Sequence, residues 1–598
     1  MTALLSCHQL AKSFGARTLF EGLDFHLGPG DRVGLIGANG SGKSTLLAVL
    51  AGREEADRGE RMQRKGLRIG LVPQAPRFDP ADTVSRAVSK AMARGPDPTA
   101  CEVDREVRVR TVLGRAGFDD PDQPVETLSG GWRKRLAIAL ALAGDPELLL
   151  MDEPTNHLDL TGILWLERLL APEGPAFVVV SHDRVFLDRV ASTMIELDPR
   201  HPGGVLRVAG GYRAFVRERE AALASRARRE QSLQNKVRRE EAWLRQGPKA
   251  RTTKAASRLR QAGELRAALD DMRNLRPEAG AEVEMSSTGR RSKRLLELRG
   301  VGHSLGGKRL FSGLDLLLGP GLRLGLLGEN GTGKTTLLRI LAGELQPAEG
   351  DIRRLDGLRL VHFEQHRDAL PSEASLQRVL APEGDTVIYQ GLAVHVTSWA
   401  RRFGFDPAQL EQPVSRLSGG EKAKLAIARL MLQPADVLLL DEPTNDLDIP
   451  TLEALEESLL DFPGAVVLVT HDRALLDRVC TRLLGLDGSG VAIPVADTSQ
   501  WEKLLTRPRA TDKPRTRPGR PPRRKDMSYL EKKELEGMEN AILEAESLLE
   551  AARAALDDPA IATDAARLQQ ADEQARRAES EVARLYTRWA ELDARRRQ

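Results

Sequence analysis

The chain carries one phosphate-binding pattern, G-x-x-x-x-G-K-[ST], at two places, residues 37–44 and 328–335. Each copy follows a short apolar run that is typical of a strand and precedes a helix-like stretch. Glycines let such a loop curl until its N–H groups face a polyphosphate at a helix N-terminus. Lys43 and Lys334 would then reach the outer phosphates. Two such loops in matched contexts predict two nucleotide sites in one chain.

Other segments recur in the same order at an almost constant offset. The matched pairs are Gln74 and Gln365, Ser129 and Ser418, Asp152 and Asp441, and His182 and His471. A spacing of about 290 residues indicates a duplicated domain rather than a short solenoid repeat. Each half has roughly 210 residues, enough for one α/β domain with a sizeable core. Apolar strands at 177–180 and 466–469 alternate with amphipathic stretches, which predicts a mainly parallel sheet covered by helices.

Composition and length exclude several classes of protein. The formal net charge is only +3, and no apolar run approaches the ~20 residues needed to span a bilayer. The N-terminus lacks the pattern of a secretory signal. Cys7, Cys101 and Cys480 are isolated, which argues against a disulfide framework, structural zinc or an iron–sulfur cluster. These features predict a soluble protein of the cytoplasm.

In both halves a leucine-rich strand ends in Asp-Glu, which places two carboxylates at the strand's carboxyl edge beside the phosphate loop. Asp152 and Asp441 suit Mg²⁺, which prefers hard oxygen ligands. Glu153 and Glu442 follow them and are placed to orient or deprotonate a water for in-line attack on a γ-phosphate. The sequence therefore predicts nucleotide hydrolysis as well as binding.

Each half also has one histidine in a matched Ser-His-Asp-Arg or Thr-His-Asp-Arg segment, His182 or His471. A histidine met alone is an ordinary loop or core residue. Here, however, each histidine follows a phosphate loop and a pair of carboxylates in the same order in both halves, and this arrangement favours contact with the γ-phosphate.

In this order and company, the motifs resemble those of ATP-binding-cassette proteins with two cassettes. The match includes Walker A loops, glutamine loops, Leu-Ser-Gly-Gly signatures, Walker B strands, the segments ending at Asp159 and Asp448, and switch histidines. It covers roughly residues 1–215 and 294–505. The resemblance implies two ABC-type P-loop ATPase domains that pair head to tail, each ATP being held between one domain's phosphate loop and the other's signature.

Carried onto this sequence, the resemblance implies two composite sites for ATP and Mg²⁺. Site one comprises Phe14, Gly37, Asn39, Gly40, Gly42, Lys43, Ser44, Thr45, Gln74, Asp152, Glu153 and His182, closed by Ser418, Gly419 and Gly420. Site two comprises Gly328, Asn330, Gly331, Gly333, Lys334, Thr335, Thr336, Gln365, Asp441, Glu442 and His471, closed by Ser129, Gly130 and Gly131. The catalytic residues are Glu153, His182, Glu442 and His471. The implied Mg²⁺ ligands are Ser44, Gln74, Asp152, Thr335, Gln365 and Asp441.

Two departures from the family pattern fall on site two. Phe14 occupies the place where an aromatic ring stacks on adenine, but the matching residue is Leu305. The first signature continues with Trp132, where the second has Glu421. We therefore expect unequal sites, with the second binding ATP through its phosphates more than through base stacking.

Basic segments lie between and after the predicted domains. Residues 226–260 hold 12 Lys/Arg against 3 Asp/Glu, within a helical linker at 216–293. This linker either spaces the domains as a solvated hairpin or contacts a phosphate backbone. A basic linker at 506–526, predicted to be disordered, precedes a segment at 527–598 whose apolar residues step by three and four. That stepping predicts an antiparallel coiled-coil hairpin, which is equally typical of an oligomerisation or docking element.

The basic linker and the Asp-Glu-Pro-Thr-Asn segment of both halves resemble the ABC-F group, and the coiled-coil tail resembles its Uup branch. Members act on ribosomes, so the resemblance implies a ribosome, tRNA or structured nucleic acid as partner. Only 53 residues separate Gln74 from Leu128, so the first half lacks the long helical arm of many relatives. Alternatives are a DNA-repair ATPase acting through the tail, and a fused energising subunit of a membrane importer. We expect a monomer with intramolecular pairing.

Overall fold

The structure, a computed structural model, describes most of both halves and short pieces of the tail. The described residues are 3–15, 17–93, 102–171, 174–198, 201–245, 263, 266, 294–363, 370–389, 392–506, 541, 544–551, 573–581, 584 and 585. The chain divides into two compact units, Met1–Arg507 and Pro508–Gln598. Below, the first half denotes residues 3–245 and the second half residues 294–506.

The first half alternates strands and helices as the sequence predicts. Its strands are β1 (Leu5–Phe14), β2 (Arg17–Leu27), β3 (Arg32–Ile36), β4 (Arg58–Gln63), β5 (Ile69–Val72), β6 (Leu148–Asp152), β7 (Ala176–Val180), β8 (Thr193–Leu197) and β9 (Val205–Ala209). Its helices are α1 (Lys43–Leu50), α2 (Val84–Ala93), α3 (Glu102–Ala116), α4 (Gly130–Ala143), α5 (Leu160–Leu169), α6 (Arg184–Val190) and α7 (Tyr212–Arg245).

The second half repeats this plan. Its strands are β10 (Leu296–Leu305), β11 (Lys308–Leu318), β12 (Arg323–Gly328), β13 (Glu349–Arg354), β14 (Leu360–Phe363), β15 (Thr386–Tyr389), β16 (Leu392–His395), β17 (Val437–Asp441), β18 (Ala465–Val469), β19 (Arg482–Leu486) and β20 (Ala492–Val495). Its helices are α8 (Lys334–Ala342), α9 (Leu376–Leu380), α10 (Val396–Arg402), α11 (Gly419–Leu430), α12 (Ile449–Asp461), α13 (Arg473–Val479) and α14 (Thr498–Thr506). Strands β15 and β16 pair as an antiparallel hairpin.

Each half is built on a six-stranded sheet with the order β5-β6-β7-β3-β8-β9 or β14-β17-β18-β12-β19-β20. All neighbouring pairs are parallel except the last in each sheet. Every residue of β6, β7, β17 and β18 is buried. In the first half, one face of these strands packs against α4, α5 and α6, and the other packs against α1 and the strands β1 and β2. The predicted α/β fold with two tandem domains is confirmed.

The sheet order explains why distant motifs meet. Strand β7 pairs with both β3 and β6, so the segments that follow these three strands leave the same edge of the sheet. Asp152 at the end of β6 lies opposite Val180 at the end of β7. The phosphate loop after β3 therefore lies beside the carboxylates and the histidine, as expected for the carboxyl ends of parallel strands.

The linkers and the tail are described only in part. Helix α7 begins four residues before the predicted linker and covers residues 216–245 of it, and most of the remainder up to 293 lies outside the described residues. So do residues 507–526 and much of the predicted coiled-coil hairpin. Residues 541, 544–551, 573–581, 584 and 585 of the tail are helical. Among the helices that the structure describes, none is long and apolar enough to cross a membrane.

Candidate active site

The two phosphate loops have the same local geometry. Gly42 and Gly333 end them in the left-handed region, with φ of 95° and 102°, where a side chain would be strained. The Lys43 Nζ donates to the carbonyl oxygens of Gly37 at 2.8 Å and Ala38 at 2.9 Å. Lys334 makes the matching pair of bonds within its own loop. Each lysine is thus held inside the curve of its loop, at the N-terminus of α1 or α8.

The hydroxyl that ends each phosphate loop meets the strand-end aspartate. Ser44 hydrogen-bonds to Asp152, and Thr335 hydrogen-bonds to Asp441. Burial raises the pKa of both carboxyls above the usual range. Oδ2 of Asp441 is buried and has no hydrogen-bond partner among the described residues. A hydroxyl and an unsatisfied carboxylate oxygen form a hard oxygen donor set that fits Mg²⁺.

A buried glutamate and histidine form a close pair in each half. Nε2 of His182 lies 3.1 Å from Oε1 of Glu153, and Nε2 of His471 lies 3.3 Å from Oε1 of Glu442. Both glutamates adopt positive φ, 44° and 50°, which a non-glycine residue rarely does. Backbone strain of this kind is concentrated at functional sites.

Burial sets the ionisation of these pairs. It raises the pKa of Glu153 and of Glu442 to about 8, although Lys43 and Lys334 oppose the shift. It lowers the pKa of both histidines to about 3, and the neighbouring lysines act in the same direction. A neutral imidazole therefore faces a carboxyl that is a stronger base than an ordinary glutamate.

The glutamine loops are described in only one half. Gln74 follows β5, and its carbonyl oxygen accepts a 2.9 Å bond from Lys134 Nζ, which also bonds the carbonyls of Pro73 and Asp152. Gln365 lies outside the described residues. Lys134 was not predicted from the sequence. The one available signal was that the matching residue of the second half is Ala423, so only the first half has this amine.

Site two is a cavity of about 440 Å³ lined by both halves. The residues that the first half contributes include Ser129, Gly130 and Gly131 and also His182, which was predicted for site one. The second half contributes Leu305, Asn330, Gly331, Gly333, Lys334, Thr335, Thr336, Asp441, Glu442 and His471. The volume of the cavity and the backbone N–H groups of the glycine-rich loops that line it fit a nucleoside triphosphate.

Site one brings the opposite elements together. A Cβ built on Gly420 would lie 2.3 Å from Nδ2 of Asn39, so the second signature touches the first phosphate loop. The backbone N–H of Asn39 donates to Oδ2 of Asp448 at 2.9 Å, and the side-chain Nδ2 of Asn39 donates to the backbone carbonyl of Asp446 at 3.0 Å. At site two, the corresponding Asn330 N–H reaches Asp159 Oδ2 at 3.4 Å. The halves approach each other more closely at site one.

The two signatures differ in how they hold their serine. Ser418 Oγ donates to Oε2 of Glu421 at 2.7 Å and accepts from the Glu421 N–H, a capping box at the start of α11. Ser129, at the start of α4, makes no side-chain capping bond. Trp132 instead packs on Phe118, with ring centroids 5.0 Å apart, and under Arg135. The Ser418 hydroxyl is therefore engaged while that of Ser129 lines the cavity.

The positions expected to meet adenine lie at the ends of matched strands. Phe14 ends β1 and is 56% exposed, and Leu305 ends β10 and is 63% exposed. Leu305 lines the cavity of site two. An aromatic face is thus offered at one site and a small aliphatic group at the other.

Comparison with family models gives three matches. The model described as ABC transporter matches residues 20–156 and 311–445, and that described as ABC transporter C-terminal domain matches residues 526–594.

Curated relatives match over most of their length. An uncharacterised ABC transporter ATP-binding protein, YfmR, of Bacillus subtilis is 34% identical, covering 99% of this chain and 98% of the relative. ATP-binding protein Uup of Caulobacter vibrioides is 36% identical over 92% of this chain and 90% of that protein. Energy-dependent translational throttle protein EttA of Haemophilus influenzae is 32% identical over 81% and 93%.

A solved structure with a similar fold is an archaeal ribosome recycling factor, aABCE1, in complex with the ribosomal stalk protein aP1. Its TM-score is 0.58 at 22% identity, covering 83% of this chain and 92% of that chain. At this identity the likeness concerns the fold alone.

Proposed function

The chain belongs to the ABC-F family of tandem ATP-binding-cassette ATPases, and from this premise we propose that it hydrolyses ATP at two composite sites to drive closure on a ribosome or another structured nucleic acid. The observation that supports two composite sites best is the hydrogen bond from Asn39 in the first phosphate loop to Asp448 in the second half. Because each loop faces the opposite half, a nucleotide bound in it would contact both halves.

The side chains of each site have separate tasks in this proposal. At site two, Lys334 and the loop amides bind the phosphates of ATP, and Ser129 binds the γ-phosphate from the opposite half. Glu442 holds the attacking water and accepts its proton, while the neutral His471 donates a hydrogen bond to the γ-phosphate. Thr335, Gln365 and Asp441 would hold Mg²⁺, which neutralises phosphate charge when bound. Lys43, Ser44, Gln74, Asp152, Glu153, His182 and Ser418 take the same parts at site one.

Hydrolysis would change the contact between the halves. The γ-phosphate is the group that both a phosphate loop and the opposite signature reach, so its loss removes the contact that favours the closed state. ATP would therefore hold the halves together, and its hydrolysis would release them.

The basic linker supports a nucleic-acid target. Arg228, Arg229, Lys236, Arg238 and Arg239 are all exposed along α7. Guanidinium groups suit phosphate contacts, and an exposed basic helix binds a nucleic-acid backbone through its field. The relative EttA is an energy-dependent translational throttle protein, which favours a ribosomal target here and, with it, a cytoplasmic location.

The second candidate function is that of an ATPase that binds DNA through its tail. Residues 507–525 hold nine Lys/Arg and one Asp, and they precede the segment that matches the C-terminal-domain model. Membership of ABC-F favours either nucleic-acid target over the importer hypothesis.

The test uses a chain that binds ATP without turning it over. We expect the Glu153→Gln, Glu442→Gln variant to retain ATP and to co-purify with its target, whose RNA and DNA are then sequenced. The control adds Arg228→Gln, Arg229→Gln, Arg238→Gln and Arg239→Gln, which should reduce capture without reducing ATP binding. Enrichment of ribosomal RNA supports the ribosomal target, and enrichment of DNA that requires residues 507–598 supports the second candidate. Recovery of neither nucleic acid would contradict both.

A further inference from the structure

Each switch histidine is followed by an aspartate and an arginine that begin a helix. Asp183 caps α6 by accepting a 2.8 Å bond from the Phe186 N–H, and Asp472 caps α13 by accepting a 3.0 Å bond from the Leu475 N–H. Such a cap fixes where the helix starts, and therefore where the preceding histidine lies. Anything that holds the capping aspartate also positions the histidine.

The arginine of each half holds the aspartate of the other. Arg184 Nη2 donates to Glu456 and, at 3.4 Å, to Oδ2 of Asp472. Reciprocally, Arg473 Nη2 donates to Oε1 of Glu167 at 2.7 Å and to Oδ2 of Asp183 at 3.4 Å. Arg184 lies 288 residues before Asp472 in the chain, so this exchange exists only because the two halves pair.

The arginines and carboxylates of this exchange are buried, so their side chains are held in fixed positions. Arg473 is 1% exposed and Glu456 is fully buried. A buried ion pair is strongly destabilised when one partner is removed, because the other charge is left uncompensated. The planar guanidinium bridges two carboxylates from different elements in fixed directions, which a lysine ammonium cannot reproduce.

The outer part of this cluster is symmetric except at one place. Arg478 donates to Glu456 at 2.7 Å, and Arg189 donates to Glu167 at 2.9 Å. Glu502 on α14 accepts bonds from Arg473 at 2.9 Å and from Arg189 at 3.0 Å, and the described residues show no matching carboxylate at Arg184 and Arg478 beyond Glu456 and Asp472. The arginine exchange therefore also contacts the last described helix before the tail.

We propose that Arg184 and Arg473 are positioning residues that act across the interface, Arg184 on the His471 site and Arg473 on the His182 site. Each arginine sets the active histidine of the opposite half through the capping aspartate, so the state of one ATP site is transmitted to the other. The inference rests on ATP hydrolysis at both composite sites. It adds a physical link between those sites that passes through protein groups rather than through nucleotide.

The test isolates one site at a time. In a Glu153→Gln chain only site two turns over, and there Arg184→Lys should lower kcat on the order of tenfold with little change in KM, since small misplacements far from the chemistry have effects of this size. In a Glu442→Gln chain, where site one turns over, Arg184→Lys should have a much smaller effect. Arg473→Lys should give the mirror-image pattern. Equal losses at both sites, or a loss confined to the site of the same half, would overturn the inference.

The matched control is Arg478→Lys, because Arg478 binds the same Glu456 from within its own half and is half-exposed. It should leave kcat at both sites within about twofold.

If one parent chain turns over too slowly to measure, the ring resonances of labelled histidines give the same answer without turnover. Arg184→Lys should shift the His471 signal more than the His182 signal, and the reverse order contradicts the inference. Glu456→Gln, which keeps side-chain volume, should act like Arg184→Lys. Absence of any ATP hydrolysis by the unmodified chain would instead count against the proposed function.

Discussion

The backbone N–H of Asn39 donates a 2.9 Å hydrogen bond to the side chain of Asp448, a residue 409 positions further along the chain. Asp448 also accepts a 2.9 Å bond from Lys424 Nζ and is only 1% exposed. The carboxylate therefore connects the second signature helix to the first phosphate loop. At site two, Arg135 lies 4.0 Å from Asp159, so the equivalent connection is longer.

This relationship predicts unequal effects of matched substitutions. Asp448→Ser keeps a capping hydroxyl on α12 but removes the acceptor for Asn39 and Lys424. We expect ATP affinity at site one to fall about tenfold, because one or two hydrogen bonds to a buried charged group are lost. Asp159→Ser should weaken site two by a smaller factor. The check is ATP binding to each variant with the other site disabled by Lys334→Met or Lys43→Met, and equal losses would contradict the prediction.

Base recognition should differ between the sites. Leu305→Phe should strengthen ATP binding at site two by several-fold, because aromatic stacking contributes about 0.5–1.5 kcal/mol. Phe14→Leu should weaken site one by a similar factor and reduce its preference for ATP over inorganic triphosphate. Competition binding with each site isolated measures both changes. Equal ATP affinities of the two unmodified sites would contradict the expected difference in base recognition.

The buried glutamates predict a pH dependence of stability without nucleotide. Their pKa is about 8 in the folded chain, above the ordinary value of 4.5, so the folded state keeps protons that the unfolded state releases. This stabilisation is complete below the ordinary value and is lost as pH rises through about 8, on the order of 1 kcal/mol per pH unit per carboxyl. From pH 7 to pH 8 the two histidines are neutral in the folded state and mostly neutral in the unfolded state, so they change this slope only slightly.

We therefore expect the urea midpoint of unfolding to fall from pH 7 to pH 8. Glu153→Gln and Glu442→Gln together should flatten this slope, because glutamine does not ionise. Glu126→Gln, an exposed substitution, serves as the control and should leave the slope unchanged. An identical slope in the double variant would contradict the pKa assignment.

Lys134 should affect the Mg²⁺ concentration needed for hydrolysis at site one and not at site two. Its amine holds the carbonyls of Pro73, Gln74 and Asp152, next to two of the proposed Mg²⁺ ligands. Lys134→Met leaves these carbonyls unsatisfied, a loss of about 1–3 kcal/mol, and frees the glutamine loop. The Mg²⁺ concentration for half-maximal hydrolysis should rise several-fold in a Glu442→Gln chain. In a Glu153→Gln chain it should not change, which makes that chain the internal control.

The sequence alone determined the fold class and the local form of each motif. The spacing of glycines and lysine dictates a curled loop at a helix N-terminus, and a leucine run ending in Asp-Glu dictates a buried strand with carboxylates at its edge. These features depend on residues that are near one another in the chain, so a short pattern suffices to predict them. The roles assigned to Glu153, Glu442 and the histidines remain predictions.

Only the tertiary structure decided which charged side chains pair with each other across the interface. Arg184 and Glu456 lie 272 positions apart, and nothing local distinguishes them from other surface charges. Their pairing follows from how two similar surfaces pack, as do the closer approach at site one and the burial that shifts the pKa values of the glutamates. Such contacts are set by the summed shape of both halves, and a sequence pattern records only one half at a time.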